Sequence, residues 1–344
     1  MEIDSSICVI VPARNEELDL QMAAESILGQ QLPVPMRVVI VNDHSSDQTP
    51  VIADSLADGD QRVSVIHDPP MRDGWFGKAN AMQHGLDATS ESVVVFTDAD
   101  VLHCSHCFSA AVSEMDSTDA DFLSLFPYVH LESFWENALI PHLMIVGMVC
   151  FLSKSINDPK SNSAVAAGAF IMTRRRVLNR VNGLEGIKRE SIDDVMLARH
   201  IKQHGFVTEF CFAPECMSVR LFKSNHDAFW GFTKNILGAL DRVTMALPLM
   251  FLPLVVYGVP ILTFVLGCQA RNTWMMATGL GAYLTQACLL LPAARLSRIQ
   301  WAKAICFPAA AIPVFCCFAK ALYHHYLHGG VYWRGRVLSR NEKA

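Results

Sequence analysis

The chain has 344 residues, of which 51% are hydrophobic and 18% charged, and its mean hydropathy is +0.26. Its net charge of −5 and the lack of a long basic run in the first half argue against a nucleic-acid-binding protein. The apolar excess is concentrated after about residue 243, which predicts a globular domain followed by a membrane region. The short acidic N-terminus resembles neither a signal peptide nor a membrane helix, so we expect the first domain, residues 1–242, to face the cytoplasm.

Residues 7–127 alternate between strand-like and helix-like segments. The predicted strands are 7–11, 37–41, 63–66 and 93–96, and the predicted helices are 16–28, a helix with Thr49 as N-cap and Pro50 in its first turn, and 78–86. This order predicts an α/β fold with a mostly parallel sheet and helices on both faces. No GxGxxG motif follows the first strand and no GxxxxGK[ST] motif occurs, which disfavours a dinucleotide-binding fold and a P-loop.

The stretch Thr97-Asp98-Ala99-Asp100 follows an apolar strand, Val93-Val94-Val95-Phe96. Two carboxylates at the carboxyl end of a buried strand are suitable ligands for Mg²⁺ or Mn²⁺, and the ion can then bridge to phosphates. The alternative is that one Asp caps the next helix and the other is solvated.

Polar residues also follow the first two strands, at Arg14-Asn15-Glu16 and at Asp43. Because the carboxyl ends of parallel strands meet at one sheet edge, we expect these residues to lie near Asp98 and Asp100.

Most of the cysteines are scattered through apolar runs, as is typical of reduced, buried thiols. Cys104 and Cys107 form one CxxC pair, with Cys211 and Cys216 as conceivable partners. A zinc site would require two well-spaced pairs, which disfavours it here. His103 could add a metal contact next to the acidic pair, but we expect it at the surface in the first turn of a helix.

Another helix is predicted to begin with Ser191 as N-cap and Asp194 at the third position, and to end at Gly205. Asp193 and Asp194 could simply favour the helix N-terminus, although that explains both of them only weakly.

The membrane region, 243–344, contains three apolar segments of membrane-helix length, 243–267, 273–294 and 304–322, and a basic tail. The positive-inside rule favours an even number of crossings and a cytosolic tail. Several prolines suggest that at least one segment is broken or re-entrant. Residues 135–152 fit either an interfacial helix or a buried core helix.

Taken together, the motifs resemble those of family 2 glycosyltransferases, which share the GT-A (Rossmann-like) fold. The resemblance rests on the stretches Val11-Pro12-Ala13-Arg14-Asn15-Glu16-Glu17, Val41-Asn42-Asp43-His44-Ser45-Ser46-Asp47-Gln48-Thr49, Gly77-Lys78-Ala79-Asn80-Ala81, Thr97-Asp98-Ala99-Asp100 and Ile192-Asp193-Asp194-Val195-Met196-Leu197-Ala198. A narrower resemblance, to membrane-anchored hopanoid-associated members, rests on Gly74-Trp75-Phe76-Gly77-Lys78, Glu132-Ser133-Phe134-Trp135-Glu136, Asn157-Asp158-Pro159 and Tyr332-Trp333-Arg334-Gly335-Arg336.

The resemblance implies an inverting transfer from a nucleotide sugar, with a uridine nucleotide as the family default. It implies the following roles: Pro12, Ala13, Arg14, Glu16 and Asp43 at the base and ribose; Lys78 and Asp98 at the diphosphate; Asp98 and Asp100 at Mg²⁺ or Mn²⁺; and Asp194 as general base, with Asp193 as its substitute. These assignments suit the chemistry, because the departing diphosphate develops negative charge that a cation and a lysine neutralise.

Processive members carry a QxxRW motif, which is missing from residues 226–235, so we expect transfer of a single sugar. Trp333 and Arg336 could close over the diphosphate or acceptor instead, or could anchor the chain at the membrane interface.

Tethering to a bilayer implies a lipid-like acceptor, such as a hopanoid, a polyprenyl phosphate, a carotenoid acid or a glycerolipid. The rival hypotheses are a processive polysaccharide synthase and a catalytically silent membrane scaffold that binds a nucleotide sugar.

Overall fold

The computed structural model describes residues 6–132, 136, 137, 140, 156–190, 193–222, 224–237, 243–289, 291, 311–328, 331–333 and 336–338. The chain forms two compact units, Met1–Val129 with Phe151–Arg220, and His130–Cys150 with Leu221–Ala344. The predicted domain boundary after residue 242 rests on the change in composition there, and it does not coincide with a boundary between these units. The predicted division into domains stays a prediction.

The first unit contains alternating strands and helices. Its described strands are β1 (Ile7–Ala13), β2 (Met36–Asn42), β3 (Val63–His67), β4 (Val93–Phe96), β5 (Val101–His103), β6 (Phe122–Phe126), β7 (Tyr128–Val129), β8 (Ile171–Arg174), β9 (Thr208–Phe212) and β10 (Met217–Val219). Its described helices are α1 (Leu20–Leu28), α2 (Thr49–Gly59), α3 (Gly77–Asp87), α4 (Cys107–Ser117), α5 (Arg175–Arg180) and α6 (Asp193–Gln203), with a 3₁₀ turn at Glu185–Ile187.

Seven of the described strands form one sheet in the order β3-β2-β1-β4-β8-β6-β9. Strand β8 runs antiparallel to both of its neighbours, whereas the other pairs in this sheet are parallel. The predicted α/β sheet with associated helices is therefore confirmed, and β8 makes it a mixed sheet.

Strand β1 lies in the interior of this sheet and forms the centre of its core. Residues 7–11 are fully buried, which fits a continuous apolar run that is covered on both faces. Strand β1 pairs with β2 on one side and with β4 on the other. The strand order thus reverses at β1, and in open α/β sheets ligands bind beside the carboxyl ends of strands at such a reversal.

A smaller described sheet has the order β5-β10-β7. Strand β5 begins directly after Asp100 and pairs antiparallel with β10, so that His103 lies opposite Met217. The acidic segment, residues 97–100, is therefore anchored by β4 before it and by β5 after it.

Two predicted helix starts are corrected. Helix α1 begins at Leu20 rather than at residue 16, and the Glu16 and Glu17 amides donate to the Thr49 hydroxyl (2.8 Å) and to Asp47 (3.2 Å) in the neighbouring loop. Thr49 is the first residue of α2, and Gln48 rather than Thr49 is at the N-cap position.

The described elements of the second unit are helices α7 (Asn225–Ile236), α8 (Ala246–Gln269), α9 (Thr273–Leu289) and α10 (Ala311–His328), a 3₁₀ turn at Val243–Met245, and the paired strands β11 (Val331–Trp333) and β12 (Arg336–Leu338). Within the described residues, Val243–Gln269, with a mean hydropathy of 2.3, is the helix that is long and apolar enough to cross a membrane. Pro253 and Pro260 lie inside α8, so the segment 243–267 is not broken at either proline. The multi-pass topology stays a prediction, and the predicted helix at 135–152 lies outside the described residues except at isolated positions.

Candidate active site

A small pocket opens at the reversal of the strand order in the first unit. Strand β4 is buried along its whole length and carries Thr97 and Asp98 to this pocket, while Pro12 comes from the end of β1. The lining residues are Pro12, Lys78, Met82, Phe96, Thr97, Asp98, Gly168, Ile171 and Asp194. Five widely separated parts of the chain therefore meet in one place, as the sheet topology requires.

Three charged side chains converge on Gly168. Lys78 Nζ lies 2.6 Å from Asp98 Oδ1. A Cβ atom on Gly168 would lie 3.0 Å from Lys78 Nζ, 3.4 Å from Asp98 Oδ2 and 3.6 Å from Asp194 Oδ2. One glycine is thus surrounded by Lys78, predicted to bind the diphosphate, by Asp98, the predicted metal ligand, and by Asp194, the predicted general base.

Backbone amides orient the Asp194 carboxylate. The Gly168 amide donates to Oδ2 (2.8 Å) and the Val195 amide donates to Oδ1 (2.8 Å). Asp193 is the first residue of α6, but its side chain, like the predicted cap Ser191, lies outside the described residues. The structure therefore places the Asp194 carboxylate at the pocket, and the choice between the two candidate bases stays a prediction.

Asp100 lies among other acidic groups. Its burial, together with the nearby charges of Asp98 and Glu16, raises its pKa to about 7, although Lys78 opposes this shift. Carboxylates that crowd together in this way disfavour ionisation unless a cation compensates. A group of carboxylate oxygens with an excess of negative charge is suited to a hard divalent cation. Asp98 and Asp100 therefore fit the predicted Mg²⁺ or Mn²⁺ site.

The loops after β1 and β2 form a second part of the site. Arg14 Nη1 donates to the carbonyl oxygen of Asp43 (3.2 Å) and to its Oδ2 atom (3.3 Å). The buried Asp43 carboxylate also contacts His44 Nδ1 through Oδ1 (3.1 Å). The Asp43 carboxylate is therefore held between a guanidinium and an imidazole.

Hydrogen bonds between these two loops fix their backbones. Asn15 has a left-handed φ of 55°; its amide donates to the Ser45 hydroxyl (3.0 Å), and its side-chain oxygen accepts from the Ser46 amide (2.8 Å). Ala13 accepts from the Asp43 amide (2.8 Å). The structure therefore brings together Pro12, Ala13, Arg14, Glu16 and Asp43, as the sequence predicts.

His103 is buried, and the expectation of a surface position in a helix was wrong. It ends strand β5, is 6% exposed and packs edge-on against Phe108. Its Nε2 lies 3.3 Å from the Thr97 hydroxyl and its Nδ1 lies 3.4 Å from the Ser26 hydroxyl. Burial lowers its pKa to about 3, so it is a neutral core residue bonded to hydroxyls.

Trp333 and Arg336 face each other as register partners in the hairpin β11–β12. Their side chains lie outside the described residues, so their role at the diphosphate or acceptor stays a prediction.

Sequence reasoning missed Gly168 and Asp19. Gly168 lies in a run of small residues, Ala164–Ala169, that precedes β8, and such a run was the available signal for close backbone approach. Asp19 precedes α1, and its charge contributes to the raised pKa of Asp100. Its role could not be read from its position next to a helix start alone.

Comparison with known proteins identifies the family of this chain. The profile described as "Glycosyl transferase family 2" matches residues 8–181, slightly more than half of the chain. The chain therefore belongs to glycosyl transferase family 2 and is a glycosyltransferase. The predicted family is confirmed, whereas the hopanoid-associated branch stays a prediction.

The chain is similar to enzymes of Staphylococcus aureus named 4,4'-diaponeurosporenoate glycosyltransferase. In strain bovine RF122 / ET3-1 the identity is 27% over 345 residues, covering 97% of this chain and 88% of the relative, and in strain MRSA252 it is 26% over 343 residues with the same coverage. A solved mannosyltransferase from Pyrobaculum calidifontis, in complex with GDP-Man and Mn²⁺, has a TM-score of 0.55 at 19% identity and covers 92% of this chain and 87% of its own. This last likeness supports the GT-A-like fold alone.

Proposed function

We propose that this protein transfers a single sugar, with inversion, from a nucleotide sugar held through a divalent cation to a lipid-like acceptor at a membrane. The observation that carries the proposal is the convergence of Lys78, Asp98 and Asp194 on Gly168. A scaffold that only binds a nucleotide sugar has no use for a backbone-oriented Asp194.

The donor lies along the edge formed by the ends of β1, β2 and β4. Arg14, Glu16 and Asp43, with the backbone at Pro12 and Ala13, hold the base and ribose. The ring N–H and hydroxyl groups of these need acceptors, which Glu16 and Asp43 supply, and Arg14 donates to Asp43. Lys78 lies beside Asp98, which places its positive charge where the diphosphate is to be neutralised. We take a uridine nucleotide as the donor.

Asp98 and Asp100 would hold Mg²⁺ or Mn²⁺, and Glu16 adds to the negative field around Asp100. When bound, the cation supplies Lewis-acid stabilisation of the charge that develops on the departing diphosphate. The chain's own contribution is to hold the carboxylates in place before the ion binds.

Asp194 takes the proton of an acceptor hydroxyl as that oxygen attacks the sugar from the face opposite the diphosphate. Its two hydrogen bonds to backbone amides hold one orientation, so the carboxylate does not need to reorganise during the reaction. Attack from the opposite face inverts the anomeric centre.

The acceptor is proposed to be long and apolar. Helix α8 is one source of support, because its sequence suits a membrane span. The names of the S. aureus relatives are another, because they point to a polyene acid as those enzymes' acceptor. A carboxylate acceptor needs no base to attack, whereas a hopanoid or glycerolipid hydroxyl does, so the two acceptor classes depend differently on Asp194.

The testing experiment measures nucleotide release from a panel of nucleotide sugars by the full chain in detergent. Acceptors are a native lipid extract, a hydroxylated hopanoid and a polyene carboxylic acid, each with Mn²⁺, Mg²⁺ or EDTA. Release that requires both a metal and an acceptor supports the proposal and names the donor. Binding of the donor without release with any acceptor contradicts it and favours the scaffold, whereas a product that carries a sugar polymer favours the processive synthase.

Asp194→Asn keeps an oxygen acceptor for the Gly168 amide but cannot take a proton. We expect donor binding to be retained and transfer to a hydroxyl acceptor to fall by roughly 10²–10⁴-fold. Wild-type transfer to a hydroxyl by this variant would refute the base assignment. Loss confined to hydroxyl acceptors, with a carboxylate acceptor still served, would confirm that the carboxylate of Asp194 acts on the proton.

A further inference from the structure

A cluster of soft metal ligands lies in the first unit and plays no part in the proposed transfer. The side-chain ligand atoms of Cys104, His106 and Cys216 all lie within 4.8 Å of one another. Cys104 Sγ lies 3.5 Å from His106 Nε2 and 3.6 Å from Nδ1. Two thiols and an imidazole thus share one small volume.

The small sheet builds this cluster from distant parts of the chain. Cys104 follows β5 and Cys216 precedes β10, and these strands are antiparallel neighbours. The Cys104 amide donates to the Cys216 carbonyl (2.8 Å), which fixes the two backbones side by side. His106 then directly precedes α4, and Cys107 is the buried first residue of that helix.

The partner of the CxxC pair is therefore Cys216 and not Cys211. The Cys211 thiol instead donates to Glu114 (3.8 Å) and lies near Glu209, in a mixed group with hard oxygen ligands. The spacing of the cysteines in the sequence does not distinguish Cys211 from Cys216. The pairing of β5 with β10 places Cys216 beside Cys104.

We propose that Cys104, His106 and Cys216 bind a structural zinc ion, with Cys107 or a water molecule as the fourth ligand. Thiolate and imidazole ligands select Zn²⁺ over Mg²⁺ and Mn²⁺, which prefer oxygen. Ligand atoms in a tetrahedral zinc site lie roughly 3.5–3.8 Å apart, so the cluster has to contract by only about 1 Å. Binding releases the thiol protons of Cys104 and Cys216.

The zinc ion would tie Cys104, which directly follows β5 and lies four residues after Asp100, to Cys216, which directly precedes β10.

The experiment measures zinc in the full chain, purified in detergent with reductant, by mass spectrometry of the metal. We expect about one zinc per chain, lost in Cys104→Ser and Cys216→Ser and retained in Cys211→Ser, the matched thiol control. Retention of zinc in Asp98→Asn separates this ion from any metal in the active site. Replacement by Co²⁺ should give the visible bands of a tetrahedral site with sulfur charge transfer, stronger if Cys107 is a ligand.

A second measurement needs no variant. In the reduced wild-type chain, bound zinc should protect Cys104 and Cys216 from alkylation, with peptide mapping as the readout, and a chelator should remove that protection. Reduced protein that neither contains nor takes up zinc would overturn the proposal. So would a chain that holds a Cys104–Cys216 disulfide and binds no metal once reduced, since the pair would then be a redox pair.

Discussion

Gly168→Ala tests whether the convergence of charged groups is the reaction centre. The backbone of Gly168 lies outside the left-handed region, so alanine can adopt its conformation without strain. The new methyl group would meet Lys78 Nζ at 3.0 Å, which requires the ammonium to move by a few tenths of an ångström. Asp98 and Asp194 oxygens, at 3.4 and 3.6 Å, remain at ordinary contact distance.

This movement should cost the fold little. The Lys78–Asp98 pair is 40% and 34% exposed, so solvent screens it and it contributes little stability. Alanine also restricts the unfolded chain, which offsets part of any loss, and we expect the free energy of unfolding to change by no more than about 1 kcal/mol. The rate of sugar transfer should be more sensitive than the stability, because the methyl group occupies the space between Lys78 and Asp194. A misplacement of this kind costs on the order of 10–100-fold in rate.

The assay pairs a thermal melt with nucleotide release under saturating metal. Gly59→Ala is the matched control, since a Cβ there meets nothing within 4 Å, and it should retain wild-type transfer. A Gly168→Ala chain that melts like wild type and transfers sugar within twofold of wild type would show that the reacting atoms lie elsewhere. A large loss of stability would instead refute the inference that Lys78 yields easily.

Two further predictions concern the metal and the donor. Between pH 3.8 and about 7 the folded chain holds a proton on Asp100 that the unfolded chain lacks, so the metal-free fold loses stability from this group as the pH rises through that range. A cation that binds Asp100 must displace that proton. The Mn²⁺ affinity measured by calorimetry should therefore rise by up to about tenfold per pH unit and level off above about pH 7. An affinity that does not change with pH would contradict the assignment of Asp100 as a metal ligand. Asp43→Asn removes the charge that faces Arg14 and should weaken donor binding by roughly 10–100-fold with kcat little changed. The control Asp54→Asn alters an exposed carboxylate bonded to His67 and should bind the donor normally; equal losses in both variants would argue against a specific role for Asp43.

Much of the sheet and the acidic edge of the site could be predicted from the sequence. Buried parallel strands are continuous apolar runs, so β1, β2 and β4 stand out, and chain order then places the residues after them at one edge. This reasoning brought Arg14, Asp43 and Asp98 together although they are far apart in sequence. It needed no knowledge of side-chain contacts.

The remaining features depend on tertiary contacts that local patterns do not encode. Helix α1 starts later than predicted, and the Glu16 and Glu17 amides donate to residues of the neighbouring loop, a contact that no local pattern indicates. His103 was misjudged because a polar side chain after a turn is usually exposed, whereas here the hydroxyls of Thr97, directly after β4, and of Ser26 in α1 lie against its ring. Gly168 escaped notice because its importance lies in the absence of a side chain.

The placement of Thr97 explains how the acidic segment is held despite its charge repulsion. The buried Thr97 hydroxyl donates to the Ala169 carbonyl (2.7 Å), which joins the acidic segment to the loop of Gly168. Because that hydroxyl proton is used, His103 donates to Thr97 from Nε2, and the Ser26 hydroxyl accepts from the His103 amide (3.1 Å). Burial keeps the imidazole of His103 neutral, with its proton on Nε2. The carboxylates of Asp98 and Asp100 therefore repel each other within a segment that these hydrogen bonds hold in place, and a cation bound there would relieve the repulsion.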